Sequence, residues 1–296
     1  MWDPTSYLRY GDERSRPFHD LLARIGAQRP RTVVDLGCGP GNLTLTLADR
    51  WPGARVLGLD SAPEMIEAAV ARKRPAASAG RIEFSVADVR DWVPGPDVDV
   101  VVCNAVLQWV PGHRELLRRW ARDLPAGAWL AVQVPGNFDA PSHRTLRTLA
   151  AEPPWRDVVA PVLRHGPAGG TGLPGPHPPV AVGSGDPVGR ASGSDGPVDD
   201  AEGYATLLTD ANCQVDAWET NYVHLLPARD DAVHPVLSWL EGTGLRPVRA
   251  VLDDAAWTDF RRVLGDRLSA AYPVRNGLVS FPFRRIFFVA RTGARS

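Results

Sequence analysis

The stretch with the clearest chemistry runs from Val33 to Asn42, VVDLGCGPGN: a short apolar run holding Asp35, then Gly37, Gly39 and Gly41 at every second position. Glycines so spaced leave the backbone bare and free to adopt left-handed conformations, which suits a tight turn pressed against a ligand. A dinucleotide-binding turn would read G-x-G-x-x-G. Here the third glycine of that pattern is replaced by Asn42, and Gly41 makes the spacing G-x-G-x-G. Asp35, two residues before the first glycine, would repel a pyrophosphate approaching a helix N-terminus. The same carboxylate would attract a ligand with an ammonium group and a second cationic centre close by.

S-adenosylmethionine is such a ligand: it carries an ammonium and a sulfonium and has no phosphate. Other polar residues fall where a nucleoside would need them. Asp60, followed by Ser61, closes the apolar run RVLGLD and can accept from both ribose hydroxyls. A nicotinamide dinucleotide would use such an acid equally well, so Asp60 alone does not separate the two cofactors. Asp88, in VADVRDW, follows the next apolar run within reach of an adenine amino group, and Met65 or Val89 would cover the ring. Asn104 closes a fourth run. Cys38 sits inside the glycine turn as a small space-filling residue, with nothing beside it in sequence to lower its pKa. Tyr7 is placed, by position alone, to close over the cofactor.

These residues must be held by strands and helices, and the apolar pattern supplies them. Buried strands are expected at Thr32 to Leu36, Arg55 to Asp60, Ile82 to Val86, Val98 to Cys103 and Trp129 to Val134. Helices are expected between them, at Asn42 to Arg50, Pro63 to Arg72 behind a Ser61 cap, and His113 to Asp123. That alternation predicts a parallel α/β sheet with right-handed crossovers. Its ligands bind at the carboxyl edge of the strands, where Asp35, Asp60, Asp88 and Asn104 all fall.

Beyond Pro135 the rhythm breaks. A helix is expected at Ser142 to Ala151, and then residues 161–200 are dominated by Gly, Pro and Ser, a composition with too little apolar surface to pack. Order is expected to resume with a helix at Ala201 to Asp210, a strand at Gln214 to Leu225, helices at Ala232 to Leu240 and Asp254 to Tyr272, and a last strand at Val279 to Ala290. Pro282 should interrupt that last strand or place it at an edge.

Composition excludes several classes. The chain has 296 residues, is 44% hydrophobic and carries a formal net charge of −1, enough apolar matter for a sizeable core and no electrostatic footprint for nucleic acid or an anionic membrane. Its three cysteines are far apart, with no metal-ligand spacing and no disulfide frame. The opening residues lack a secretory signal pattern, and no apolar run approaches the ~20 residues of a membrane helix. A cytoplasmic protein, monomeric by default and holding no metal, is expected.

The set Asp35 to Gly41, Asp60, Asp88 and Asn104 resembles the class I S-adenosylmethionine-dependent methyltransferases. The resemblance goes further. WDPTSYLRYGDERSRP, NAVLQWVPGH, AVQVPGNFDAPSH, ETNYVHLLP, TGLRPV and FPFRRIFFVA together resemble the trans-aconitate methyltransferases over nearly the whole chain apart from 161–200. It implies a Rossmann-like seven-stranded α/β fold, mostly parallel with an antiparallel last strand, and helical additions over the active site. The division expected is an N-terminal lid helix at 1–30, a cofactor-binding core at 31–135, a cap and flexible insertion at 136–200, and the rest of the core with cap helices at 201–296.

The reaction implied is methyl transfer from S-adenosylmethionine to a carboxylate oxygen of trans-aconitate, giving a monomethyl ester and S-adenosylhomocysteine. A carboxylate of pKa about 4 is already ionised at neutral pH, so no general base is required. A small polycarboxylic acid does need cations and donors. The candidates are Arg14 and Arg16 in DERSRP, Gln108 and Trp109 after the fourth strand, Gln133 within the fifth, and Asn137 and His143 after it. Tyr222, His224, Arg246 and Arg284 come from the C-terminal blocks. Two other readings stay open at this point: an O- or N-methyltransferase of another small metabolite, such as a natural-product intermediate, and a non-catalytic module that binds S-adenosylmethionine.

Overall fold

Val-rich runs, buried on both faces, make the centre of the sheet. A computed structural model describes residues 11–72, 80–164, 198–228 and 233–294, without the side chains of 11–14 and 164. In it β1 (Thr32–Leu36), β2 (Arg55–Asp60), β3 (Ile82–Val86), β4 (Val98–Asn104) and β5 (Trp129–Pro135) are mutually parallel, as the alternating pattern predicts. Between them stand α2 (Thr44–Arg50) after β1, α3 (Pro63–Ala71) after β2 and α4 (His113–Asp123) after β4; α1 (Gly11–Ala23) precedes β1. Two long strands complete the sheet, β6 (Cys213–Pro227) and β8 (Leu278–Thr292), with the two-residue β7 (Val274–Arg275) hairpinned onto β8. The order is β3-β2-β1-β4-β5-β8-β6, and β8 runs antiparallel to both β5 and β6. The sheet thus has eight strands rather than seven, the extra one being the short β7.

Pro282 does not interrupt β8. It pairs with Val223 of β6, while the β5 ladder ends at Arg285 and the β7 ladder covers only Leu278 and Val279. Pro282 therefore sits where β8 has a partner on one side only, the position at which a residue with no N–H costs the ladder least.

Side-chain alternation assigns the two faces. Val34, Leu36, Cys103, Val132 and Val134 point to the face covered by α4 and α7 (Ala201–Thr209), whose Trp120, Tyr204 and Leu208 are buried against them. Val33, Val100, Val102 and Ala131 point to the opposite face, covered by Phe18, Leu21 and Leu22 of α1 and Leu47 and Ala48 of α2. Pro17 lies inside α1, and the helix continues through it. A second core caps the outer half of β6 and β8. It is built from α5 (Pro141–Ala150), α6 (Val159–Arg164), α8 (Pro235–Glu241), α9 (Arg246–Val251) and α10 (Asp254–Ala271). Helix α6 runs into the stretch whose composition suggests flexibility, and Val198 and Asp199 at its far end are buried. Residues 165–197 lie outside the described residues.

Candidate active site

The glycine turn joins the end of β1 to α2, and its geometry is left-handed at all three glycines: φ is +74° at Gly37, +54° at Gly39 and +72° at Gly41. Their reasons differ. A Cβ at Gly37 would lie 2.2 Å from Cγ2 of Val106, and one at Gly41 would lie 2.7 Å from the Phe84 ring and 2.8 Å from Ala69, whereas one at Gly39 meets nothing within 4 Å. Two of the glycines thus admit the protein's own side chains, and only Gly39 faces open space. The turn is docked on β2: the N–H groups of Gly37 and Cys38 donate to Leu59 O at 2.7 and 2.9 Å. Arg72 at the end of α3 donates to Pro40 O at 2.7 Å.

Two carboxylates flank this turn. Asp60 Oδ2 accepts from the Gly39 N–H and Oδ1 from the Ala62 N–H, both at 2.9 Å. Burial raises its pKa, against those hydrogen bonds. A carboxylate has about four lone-pair positions, so each oxygen keeps room for a further donor. The cap expected of Ser61 is not made: Ala62 is the N-cap of α3, no side chain caps the helix, and Ser61 is exposed.

Asp35 is 3% exposed and its Oδ2 accepts a 2.6 Å hydrogen bond from the hydroxyl of Thr44. Burial pushes its pKa up to about 7; the Thr44 bond acts the other way, and the charge of Asp60 adds to the rise. Cys38 and Cys103, both buried, have thiols pushed well above the ordinary range by burial and by Asp35, which leaves them inert.

Alternation puts Asp35, Asn104 and Gln133 on the α1 side of the sheet, and Asn104 and Gln133 are direct neighbours across β4 and β5. Asn104 Oδ1 is buried with no hydrogen-bond partner among the described residues, and so is Nε2 of Gln133, a residue 1% exposed. Gln108 stands in the single helical turn Leu107–Trp109, where its Nε2 donates to Ala105 O at 2.7 Å and its Oε1 is likewise unsatisfied among the described residues. Trp109 is half-buried beside it. Asn137 accepts from the Arg284 N–H at 2.7 Å and leaves its own Nδ2 unsatisfied among the described residues. Buried amides with unused donors and acceptors are costly unless a ligand or water meets them.

A cationic cluster lies further out on β6 and β8. The Arg16 guanidinium, from α1, is 5.2 Å from the centre of the Tyr222 ring, and the Tyr222 hydroxyl donates to Asp20 at 2.5 Å. Arg285, 5% exposed, lies 4.3 Å from the centre of the Phe283 ring. His224, between Tyr222 and Trp239, has its pKa pushed down to about 4 by burial and by Arg285 and Arg16. Tyr222 is raised by burial and by Asp20.

Other candidates fall elsewhere. Tyr7 lies outside the described residues, and Arg14 is in α1 with its side chain outside them. Asp88 is held by Arg90 at 2.6 Å, which keeps its pKa low. Val89 is buried in the core under α4, and Met65 is buried in α3. His143 is in α5 of the cap, edge-on to Phe138, with its pKa lowered to about 4 by burial. Arg246 opens α9, half-buried. Arg284 is directed away from the cluster and pairs with Glu219 at 2.5 Å. Thr44, Phe84, Val106, Asp20 and Arg285 are not among the candidates drawn from the sequence. For Arg285 the signal was present: it shares its parity with the buried Phe281, Phe283 and Phe287.

The fold is shared with solved structures described as methyltransferases. A methyltransferase-domain family profile matches residues 33–127, from within β1 to just before β5. A putative methyltransferase from Bacillus halodurans C-125 superposes with a TM-score of 0.54 at 13% identity, covering 94% of this chain and 100% of that one. The YcgJ protein of Bacillus subtilis does so at 0.51 and 14%, with the same coverage. Sequence relatives are closer. The trans-aconitate 2-methyltransferase of Mycobacterium sp. (strain KMS) is 52% identical over 294 residues, 99% of this chain and 100% of that protein. That of Rhodococcus jostii (strain RHA1) is 52% identical over 292 residues, 98% and 99% of the two chains. The chain is an S-adenosylmethionine-dependent methyltransferase and belongs to the family of the trans-aconitate 2-methyltransferases. Among the described residues no helix is long and apolar enough to cross a membrane, and no group of His, Cys, Asp or Glu is arranged to hold a metal.

Proposed function

We propose that this protein transfers a methyl group from S-adenosylmethionine to a carboxylate oxygen of trans-aconitate, giving the monomethyl ester. The observation that carries the proposal is the arrangement of charge along the α1 side of the sheet. A buried carboxylate, Asp35, lies at the glycine turn, and two guanidiniums, Arg16 of α1 and Arg285 of β8, stand further along the same side. The first suits a cationic donor and the second an anionic acceptor. The names of the full-length relatives agree with that polarity.

The residues fit the donor. Asn104 Oδ1, an acceptor without a partner among the described residues, shares a face with Asp35, and both would accept from an ammonium group. Asp60 keeps lone pairs for a ribose diol, and Gly39 leaves open space beside the turn. When bound, S-adenosylmethionine supplies an electrophilic methyl carbon on a sulfonium. An acceptor carboxylate, ionised at neutral pH, is the nucleophile, so the chain has no proton to remove. Its work is to hold the two reactants in line and exclude water. A carboxylate and a sulfonium become a neutral ester and a neutral thioether, so opposite charges vanish in the transition state and a poorly solvated pocket favours it. Tyr222, Trp239 and Phe283 are buried aromatic side chains packed around His224, beside Arg285.

The experiment is a panel of acceptors offered with methyl-labelled S-adenosylmethionine. The expected result is a base-labile ester from trans-aconitate. Label passing instead to an amine, or to a hydroxyl of a non-carboxylic metabolite, would overturn the proposal.

A further inference from the structure

We infer that Asn137 and Gln133, two neutral amides at the end of β5, hold the acceptor carboxylate that receives the methyl group. The inference rests on the reaction proposed above and names the residues that orient its nucleophile. Four buried side-chain amide atoms have no hydrogen-bond partner among the described residues: Asn104 Oδ1, Gln108 Oε1, Gln133 Nε2 and Asn137 Nδ2. All four belong to one corner of the sheet. Asn104 closes β4 and is the register partner of Gln133 in β5. The Ala105 N–H donates to Gln133 O at 2.8 Å, Gln108 Nε2 donates to Ala105 O at 2.7 Å, and Asn137 follows the last residue of β5 by two.

The orientation of the Asn137 amide is fixed. Its Oδ1 accepts from the Arg284 N–H at 2.7 Å, and a backbone N–H can only donate, so Nδ2 is the end left over. Asn137 is 4% exposed and Gln133 1%, so each unused donor destabilises the fold unless something meets it. The two oxygens of the set suit a cation and the two nitrogens an anion. Their placement agrees with that division. The strands stand in the order β2, β1, β4, β5, with the acids Asp60 and Asp35 on the first two, the unused oxygens at the end of β4 and the unused nitrogens at the end of β5. The donors thus lie one strand beyond the residues that fit S-adenosylmethionine. Neutral donors also suit the chemistry. Transfer forms a carbon–oxygen bond and breaks a carbon–sulfur bond, the electron pair leaving on sulfur with no proton moved. The charge of the attacking carboxylate is lost on the way, so a cation fixed on that group would stabilise the ground state more than the transition state. An amide N–H orients the same group with less of that penalty.

The test measures, by calorimetry, trans-aconitate binding to the S-adenosylhomocysteine complex of wild type, Asn137→Asp and Gln133→Met, with steady-state KM and kcat beside it. Asn137→Asp keeps an oxygen for the Arg284 N–H and turns the unused donor into an anion, so Tm and S-adenosylhomocysteine affinity should stay close to wild type. Trans-aconitate binding should weaken about 100-fold or more, from the lost bond and the repulsion of two carboxylates. Gln133→Met keeps the volume without the donor and should weaken binding about tenfold, with kcat lower as well. Losses within about twofold in both variants, less than one hydrogen bond is worth, overturn the inference alone if wild type methylates trans-aconitate; the amides then hold water or the fold only. Should Asn137→Asp fail to fold, Gln133→Met decides by the same threshold. If wild type methylates no polycarboxylate, the reaction proposed above fails and this assignment with it.

Discussion

The hydroxyl of Thr44, the first residue of α2, donates to the carboxylate of Asp35 near the end of β1, 2.6 Å away across the glycine turn. Both residues are buried. The bond ties strand to helix and helps keep a negative charge under the turn, where burial alone would extinguish it; the balance leaves Asp35 with a pKa of about 7.

That value makes cofactor binding pH-dependent. A ligand cation stabilises the ionised form of Asp35, so binding below pH 7 must expel a proton. S-adenosylhomocysteine affinity, measured by calorimetry, should therefore fall about tenfold from pH 8 to pH 6. Asp35→Asn should bind weakly at both pH values, with that slope gone.

The same substitution should stabilise the unliganded protein. The folded pKa of Asp35 lies above the unfolded value of about 3.9, so the native state holds the proton more tightly and stability falls as pH rises from about 4 to 7. Above pH 7 the penalty is constant, on the order of 4 kcal/mol for a shift of about three pK units. Denaturant melts of wild type and Asp35→Asn should show their difference in stability growing across that window in favour of the variant. Equal curves would contradict a buried, strained carboxylate.

Thr44→Val removes the bond that lowers the Asp35 pKa and should move the midpoint of pH-dependent binding upward. At pH 7 the loss should be about 1–3 kcal/mol of cofactor affinity. An unmoved midpoint would show that Thr44 does not hold the carboxylate.

The glycines of the turn separate by what lies opposite. Gly37→Ala brings a Cβ onto Val106 in a left-handed conformation, and Val106→Ala in the same chain should restore part of the lost Tm and affinity. Gly39→Ala has open space and should cost only the left-handed penalty of about 1–2 kcal/mol. If the double variant recovers nothing, the clash is not what requires glycine at position 37.

Arg284→Ala should lower stability by no more than about 1 kcal/mol, since its ion pair with Glu219 is largely exposed, and should leave KM for the acceptor unchanged. Steady-state kinetics and thermal melts check both.

The parallel strands and their helices were legible because short, mostly apolar runs alternate with helix-like segments, those of β1, β4 and β5 buried on both faces; Thr32–Leu36 and His113–Asp123 have the bounds the pattern predicts. The short helices α6 and α9 were not, because each has only six residues and one packs where Gly and Pro dominate the neighbouring sequence. At the site, Asp35, Asp60 and Asn104 could be placed by their position at strand ends. Thr44 and Val106 could not, because their roles are contacts across the turn. Arg284 and Arg285 illustrate the limit on β8: side chains alternate, so a shift of one residue exchanges a surface ion pair for a buried cation.

The central claim is that Asp35 receives the cationic end of the methyl donor and that the acceptor's carboxylates lie toward Arg16 and Arg285. A crystal structure of the protein with S-adenosylhomocysteine and trans-aconitate measures it directly. The account predicts the homocysteine ammonium beside Asp35 and Asn104, the ribose on Asp60, and at least two acceptor carboxylates between the cofactor sulfur and the two arginines. Adenine or a phosphate against Asp35, or trans-aconitate bound away from both guanidiniums, would contradict it.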